Sequence, residues 1–175
     1  MEEPVTGLVR QVDRKVEEVE SAYAPGEDRP LRSYTAMMAA YVTLVGGVST
    51  YLDRTGRLPE RLDFRDLVLA AVATHKISRT VSKAPITSPL RAPFTRYKGV
   101  SGPSQLEEEV RGEGARQAFG EFIACPFCLS QWAATSFIFG LVLAPRATRL
   151  ITAIFATVAV SDLLQFAYAR AQKAA

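Results

Sequence analysis

The two cysteines are the residues of this chain best suited to chemistry. Cys125 and Cys128 lie in the stretch ACPFCLSQW, with Pro126 and Phe127 between them. A pair with this spacing suits a redox dithiol or one half of a zinc site. Proline also favours the first turn of a helix, so the pair can equally be two small apolar residues where a helix begins. The spacing alone leaves all three interpretations open.

Each chemical interpretation needs further groups. A redox dithiol at the start of a helix benefits from the positive end of the helix dipole. Small membrane oxidoreductases use a second cysteine pair as a relay, however, and this chain has only two cysteines. A zinc site would need His75, the single histidine, with Glu121 or Asp162, or a second copy of the chain. We therefore expect no cofactor and no metal, and keep Cys125 and Cys128 as candidate thiols.

A second candidate site combines polar residues with apolar helices. Asp162 and Gln165 lie three residues apart in a hydrophobic run, which places them on one helix face. A charge inside a spanning helix costs about 2.5–3.5 kcal/mol, so it usually has a partner. The candidate partners are His75, Lys76 and Arg79. The group is either a structural ion pair or a proton- or ion-coupled transport site around Asp162 and His75.

Common catalytic motifs are missing from the sequence. It contains no Gly-x-Ser-x-Gly elbow and neither of the standard glycine-rich phosphate loops. A serine hydrolase triad would have to use His75 as its base. Whether the chain is an enzyme stays open, with the weight of the sequence against it.

Hydrophobic runs dominate the organisation of the chain. The predicted helices at 33–52 and 126–144 carry no charge, and the one at 149–169 has Arg149 at its start and Asp162 inside it. About 20 such residues cross a bilayer as a helix. A fourth, shorter helix is predicted at 64–79. The alternative is a soluble globule of fully buried helices. We predict an all-α integral membrane bundle over 31–175, preceded by an amphipathic helix and linker at 1–30.

The N-terminal helix has valines at heptad spacing. The seam can pack on the protein or the membrane surface, or pair two copies of the chain. Its valines are Val5, Val9, Val12, Val16 and Val19.

Residues 80–121 are predicted to form an ordered loop over the bundle. Its first half is basic, including Arg91, Arg96 and Lys98, and prolines recur every four residues, which excludes a regular helix. Basic loops tend to be cytoplasmic, which favours a cytoplasmic loop and N-terminus. The basic residues either attract anionic lipid or turn inward to acidic side chains further along the loop. A net charge of +3 without a recognition motif argues against nucleic acid.

Three stretches of the chain resemble a known family. They are THKISRTVSKAPITSPLRAPFTRYKG, EEEVRGEGARQAFGEFIACPFCLSQW and APRATR with SDLLQFAY. Over about 64–168 the chain resembles a bacterial membrane-protein family catalogued as a domain of unknown function, number 1360. The resemblance implies a membrane protein and supplies no activity.

The sequence thus predicts a multi-pass protein of the inner membrane whose first partner is the lipid bilayer. Its expected role is that of a non-enzymatic scaffold or partner-binding subunit. The alternatives are a thiol-dependent oxidoreductase or redox sensor using Cys125 and Cys128, and a small transport unit around Asp162 and His75.

Overall fold

The computed structural model describes residues 14–26 and 29–174. The helices are α1 (14–23), α2 (Leu31–Arg54), α3 (Phe64–Lys83), α4 (Ser88–Arg91), α5 (Gly114–Ala124), α6 (Pro126–Leu143) and α7 (Pro145–Ala174), and the strands are β1 (Thr95–Gly102) and β2 (Gln105–Val110). A 3₁₀ turn, Pro85–Thr87, joins α3 to α4.

Helices α2, α6 and α7 are long and apolar enough to cross a membrane. They correspond to the three predicted hydrophobic runs. The last begins at Pro145, four residues before its predicted start, because proline suits the first turn of a helix. At the predicted start, Thr148 lies inside the helix and donates a hydrogen bond from its hydroxyl to the Ala144 carbonyl.

Helix α3 is longer than the predicted 64–79. It begins after Asp63, whose side chain accepts a hydrogen bond from the Arg65 amide, and it runs for 20 residues to Lys83. It ends there because Ala84 precedes Pro85, and a residue before proline avoids helical geometry. The polar residues of α3, rather than its length, distinguish it from the three apolar helices.

Helices α3, α6 and α7 pack together. Their shared core contains Ala70 and Ala73 of α3 and Phe137 of α6, with Ile77 and Phe155 packed against it. Small residues on α3 let the neighbouring helices approach closely.

Two ion pairs fix the relative direction of α3 and α7. Arg149 forms a forked pair with Asp66 near the start of both helices, and Lys76 bonds Asp162 farther along both. Helices α3 and α7 are therefore parallel. The tight turn before Pro145 makes α6 antiparallel to both, so the start of α6 lies at the same end of the bundle as the end of α3.

Gly140, near the end of α6, packs closely against Thr148 at the start of α7. A Cβ at this position would lie 2.6 Å from Oγ1 of Thr148 and 3.2 Å from its Cγ2. Both α6 and α7 therefore depend on the absence of a side chain at Gly140.

A β-hairpin (95–110) occupies the middle of the predicted loop, so the all-α prediction is incomplete. Strands β1 and β2 pair antiparallel, with Thr95 opposite Val110 and Gly102 opposite Gln105. Pro103 and Ser104 turn the chain between them, and Ser104 adopts a φ of 55°. Of the prolines that recur every four residues, Pro85 starts the 3₁₀ turn and Pro89 lies in the first turn of α4, where proline is tolerated, so they do not exclude a helix of one turn.

Helix α5 packs against the hairpin at a glycine. A Cβ on Gly120 would lie 2.7 Å from Val110 Cγ1 and 3.0 Å from the Phe94 carbonyl oxygen. The Phe94 and Phe119 rings lie 4.7 Å apart beside this contact. The hairpin and α5 thus form one layer over the end of the bundle where α6 begins. The segment predicted as a loop, 80–121, is thus built largely from regular elements.

Candidate functional site

The two thiols lie in direct contact at the start of α6. The Sγ atoms of Cys125 and Cys128 are 2.8 Å apart, and both cysteines are free. The Cys128 amide also donates a hydrogen bond to Cys125 Sγ at 3.2 Å. Cys125 therefore caps the helix with its sulfur and receives two donors from Cys128.

Pro126 produces this arrangement. It occupies the first turn of α6, while Cys125 stays extended with φ −98° and ψ 110°. This backbone turns the Cys125 side chain over the exposed amides of the first turn. Such amides and the positive helix end stabilise a negatively charged sulfur. Pro126 thus both begins the helix and places the Cys125 sulfur beside its first amides.

Cys128 lines a cleft between α2 and the start of α6. The cleft has a volume of about 330 Å³. Its walls are Tyr34, Met37, Met38 and Tyr41 from α2, Ala118 and Phe122 from α5, and Cys128, Gln131 and Trp132 from α6. Tyr41 and Trp132 meet edge to face with ring centroids 5.2 Å apart. The Cys128 side chain thus borders an aromatic, largely apolar cleft.

Glu121 attaches α2 to this end of the bundle. Its carboxylate accepts hydrogen bonds from the Tyr34 hydroxyl, from Arg29 at 3.2 Å and from Gln117 at 3.3 Å. Farther along α2, the Tyr41 hydroxyl pairs with Thr135 Oγ1 at 2.8 Å. These contacts fix the wall of the cleft that α2 contributes.

In the second predicted site, the Asp162 carboxylate forms an ion pair with Lys76. Lys76 Nζ lies 2.5 Å from Asp162 Oδ2. The side chains of His75 and Gln165 are exposed, and Arg79 bonds Gln105 of β2 instead. The structure therefore does not gather His75, Arg79, Asp162 and Gln165 around one cavity.

Arg91 is the most buried side chain of the predicted basic loop. It is 0% exposed and forms a salt bridge with Glu108, whose side chain is 6% exposed. Its guanidinium also donates to the carbonyls of Val81 and Ala84 and to the Thr87 hydroxyl. Arg91 thus satisfies the carbonyl end of α3 and binds it to the hairpin.

The other two basic residues remain at the surface. Lys98 pairs with Glu109 at 2.7 Å across the hairpin, which lowers the pKa of the Glu109 carboxyl, and Arg96 is exposed opposite Glu109. Strand β2 also carries Glu107 and Glu108, and Glu108 pairs with Arg91. Acidic partners therefore offset much of the positive charge that the sequence suggested for lipid binding.

The described residues offer no further zinc ligands beside the two cysteines. In residues 14–26 and 29–174, no group of three or more His, Cys, Asp or Glu side chains is placed to hold a metal ion. Cys125 and Cys128 have each other as neighbours, and His75 belongs to α3.

The heptad seam is only partly described. Val5, Val9 and Val12 lie outside the described residues. Of the rest, Val16 is half-buried and Val19 is 59% exposed. Pairing of two copies through this seam stays a prediction.

Sequence reasoning missed the α2 wall of the cleft. Tyr34, Met37, Met38 and Tyr41 follow one another at helical spacing, which identifies a helix face but not its neighbour. The contact with Glu121 joins residues 87 positions apart. No local pattern in the sequence connects them.

A family model described as "Protein of unknown function (DUF1360)" matches residues 69–168. The match contains the hairpin, α5, α6 and most of α3 and α7, and it leaves α2 outside. No curated protein matches the chain. No solved structure matches it either.

Proposed function

The chain belongs to the DUF1360 family of proteins of unknown function, and we propose that it is a multi-pass membrane protein with a thiol–disulfide redox pair. Cys125 and Cys128 would cycle between two thiols and one disulfide at the end of a helical bundle. The apolar helices α2, α6 and α7 support the membrane part of the proposal.

A single observation carries the redox part: the two sulfur atoms lie 2.8 Å apart. A disulfide has a sulfur–sulfur distance of about 2.05 Å, so the bond needs a movement of only about 0.8 Å. Oxidation of the two thiols releases two electrons and two protons as the bond forms. The Cys128 amide and the Cys128 thiol both donate to Cys125 Sγ, so the two sulfur atoms already face each other.

The tight Lys76–Asp162 pair disfavours a transport site. A proton or ion carrier needs a carboxylate that faces a polar pathway, whereas Asp162 is engaged by an ammonium group. Among the functions considered, thiol chemistry has the better geometry. Partner binding through the N-terminal valines is compatible with it and remains a separate prediction.

The redox proposal is tested by equilibrating the purified chain in lipid nanodiscs with glutathione redox buffers. Free thiols are then alkylated, and the mass of the chain reports how many were protected. We expect one transition between two alkylated thiols and none, independent of protein concentration. A chain that stays doubly alkylated under every oxidising condition overturns the proposal.

Single-cysteine variants provide the control. Cys125→Ser and Cys128→Ser each lack the partner sulfur, so neither forms an intramolecular disulfide. If either variant protects its remaining thiol as well as the wild type, the protection comes from burial or a bound ion, and the redox pair is rejected.

A further inference from the structure

The cleft beside Cys128 lies on the apolar part of the protein. Met37, Met38 and Tyr41 belong to α2, and Trp132 to α6, which are both helices of membrane length. A molecule dissolved in the hydrocarbon layer could enter the cleft along α2.

The shape and lining of the cleft suit a flat ring. Its volume of about 330 Å³ lies at the lower end of the roughly 300–1,000 Å³ of small-molecule pockets. Trp132 meets Tyr41 and Phe122 at interplanar angles of 65° and 74°, so aromatic edges and faces both border the space. The exposed amide of Gln131 can donate a hydrogen bond to a carbonyl oxygen.

The chain itself supplies no electron acceptor for the thiols. It has two cysteines in all, so no second pair can take the electrons. An acceptor in the cleft must therefore take two electrons and two protons from one dithiol. Quinones are membrane-soluble, have a planar ring with two carbonyl oxygens, and accept electrons from protein dithiols.

We propose that this cleft binds the ring of a membrane-soluble quinone, which oxidises Cys125 and Cys128. The inference rests on the proposed redox function. The two S–H bonds break and one S–S bond forms, so the thiols are oxidised by two electrons. The quinone takes those electrons and two protons on its carbonyl oxygens and leaves as the hydroquinone.

Decylubiquinone is the probe for this reaction. All its ring carbons are substituted, so a stable thioether with a thiol is disfavoured. The reduced chain in nanodiscs is mixed with decylubiquinone, and hydroquinone formation is followed by ultraviolet absorbance. We expect one hydroquinone per chain, and disulfide formation at the same rate.

A bulky residue in the cleft should block the reaction. Met38 and Val42 lie one turn apart on α2 and are each 63% exposed, but only Met38 lines the cleft. Met38→Trp should slow oxidation by the quinone about tenfold by displacing the ring from the sulfur, while Val42→Trp stays within about twofold of the wild type. Both variants should keep the wild-type transition in glutathione buffers, because neither changes a thiol.

The outcomes separate the two proposals. Two results overturn the quinone inference and leave the redox pair. In the first, the chain has a normal glutathione transition but the quinone does not oxidise its thiols. In the second, Met38→Trp does not slow the oxidation of the thiols by the quinone. In that case the electrons go elsewhere, such as to a partner protein's thiols. A chain that forms no disulfide in glutathione buffers overturns both.

Discussion

Arg91 and Glu108 form a salt bridge that is almost completely buried. Nε and Nη2 of Arg91 bond the two carboxylate oxygens of Glu108 at 2.6 and 3.1 Å. The remaining guanidinium donors are directed to the end of α3. This one side chain therefore joins the last turn of a bundle helix to strand β2.

Removing Arg91 should be strongly destabilising. Arg91→Ala leaves the Glu108 charge buried and the Val81 and Ala84 carbonyls without their donor. Loss of one partner of a buried ion pair costs about 3–5 kcal/mol. Thermal unfolding in detergent, followed by circular dichroism, measures the change. Arg96→Ala is the matched control, because Arg96 is exposed and its loss should stay within about 0.5 kcal/mol. Equal midpoints for the two variants would contradict the role of Arg91.

Lys76 and Asp162 should matter as a pair rather than singly. Lys76→Met leaves Asp162 unpaired in a membrane-length helix, where an unpaired charge costs about 2.5–3.5 kcal/mol. The double variant Lys76→Met with Asp162→Leu removes both charges and should recover most of the loss. The yield of folded protein from membranes, judged by size-exclusion chromatography, gives the comparison. A double variant no better than the single one would show that the two residues are not coupled.

Gly140 should not tolerate a methyl group. Gly140→Ala places a Cβ 2.6 Å from Thr148 Oγ1, and overpacking of this kind costs about 1–3 kcal/mol. Adding Thr148→Ala creates the missing space, so the double variant should be more stable than Gly140→Ala alone. Thermal unfolding of Gly140→Ala, Thr148→Ala and the double variant measures the coupling.

Gly46→Ala is the control for Gly140. A Cβ at Gly46 meets nothing within 4 Å, so alanine should raise helix stability by up to about 1 kcal/mol. A loss of stability at Gly46 equal to that at Gly140 would refute the steric explanation.

The hydroxyls of Ser82 and Thr87, both near the end of α3, should respond differently to removal. Ser82 is 0% exposed, and its hydroxyl has no hydrogen-bond partner within the described part of the chain. Ser82→Ala should therefore be neutral or stabilising by about 1 kcal/mol.

The Thr87 hydroxyl accepts a hydrogen bond from Arg91 at 2.7 Å and donates to the Thr80 carbonyl at 2.6 Å. Thr87→Val keeps the shape and should cost about 1–3 kcal/mol. Urea or thermal unfolding of the two variants side by side is sufficient, and the reverse order would be evidence against this assignment of partners.

The sequence predicts those features that depend on local chemistry. Uncharged runs of sufficient length identify α2, α6 and α7, and Pro126 identifies the start of α6. It also predicts that Asp162 needs a cation and that Arg91 can turn towards an acidic residue. These inferences work because an unpaired charge in apolar surroundings is costly whatever the fold.

Features that depend on distant residues are not predictable in this way. The hairpin strands contain Gly99 and Gly102 and few β-branched residues, so their propensity for a strand is weak. The hairpin is held by long-range contacts of Arg79 and Arg91 and by the packing of Gly120. The cleft likewise depends on how α2 meets α5 and α6.

The parallel packing of α3 against α7 has a consequence for biosynthesis. Asp66 and Lys76 leave the ribosome 83 and 86 residues before Arg149 and Asp162, the residues that pair with them. At about 5–20 residues per second, translation of that interval takes roughly 4–17 s. Through this time α3 has its charges but not their partners, so the helix completes its assembly only after the α6–α7 hairpin has been made. A nascent chain that stops before Arg149 lacks the partners of both Asp66 and Lys76, so neither ion pair of α3 can form.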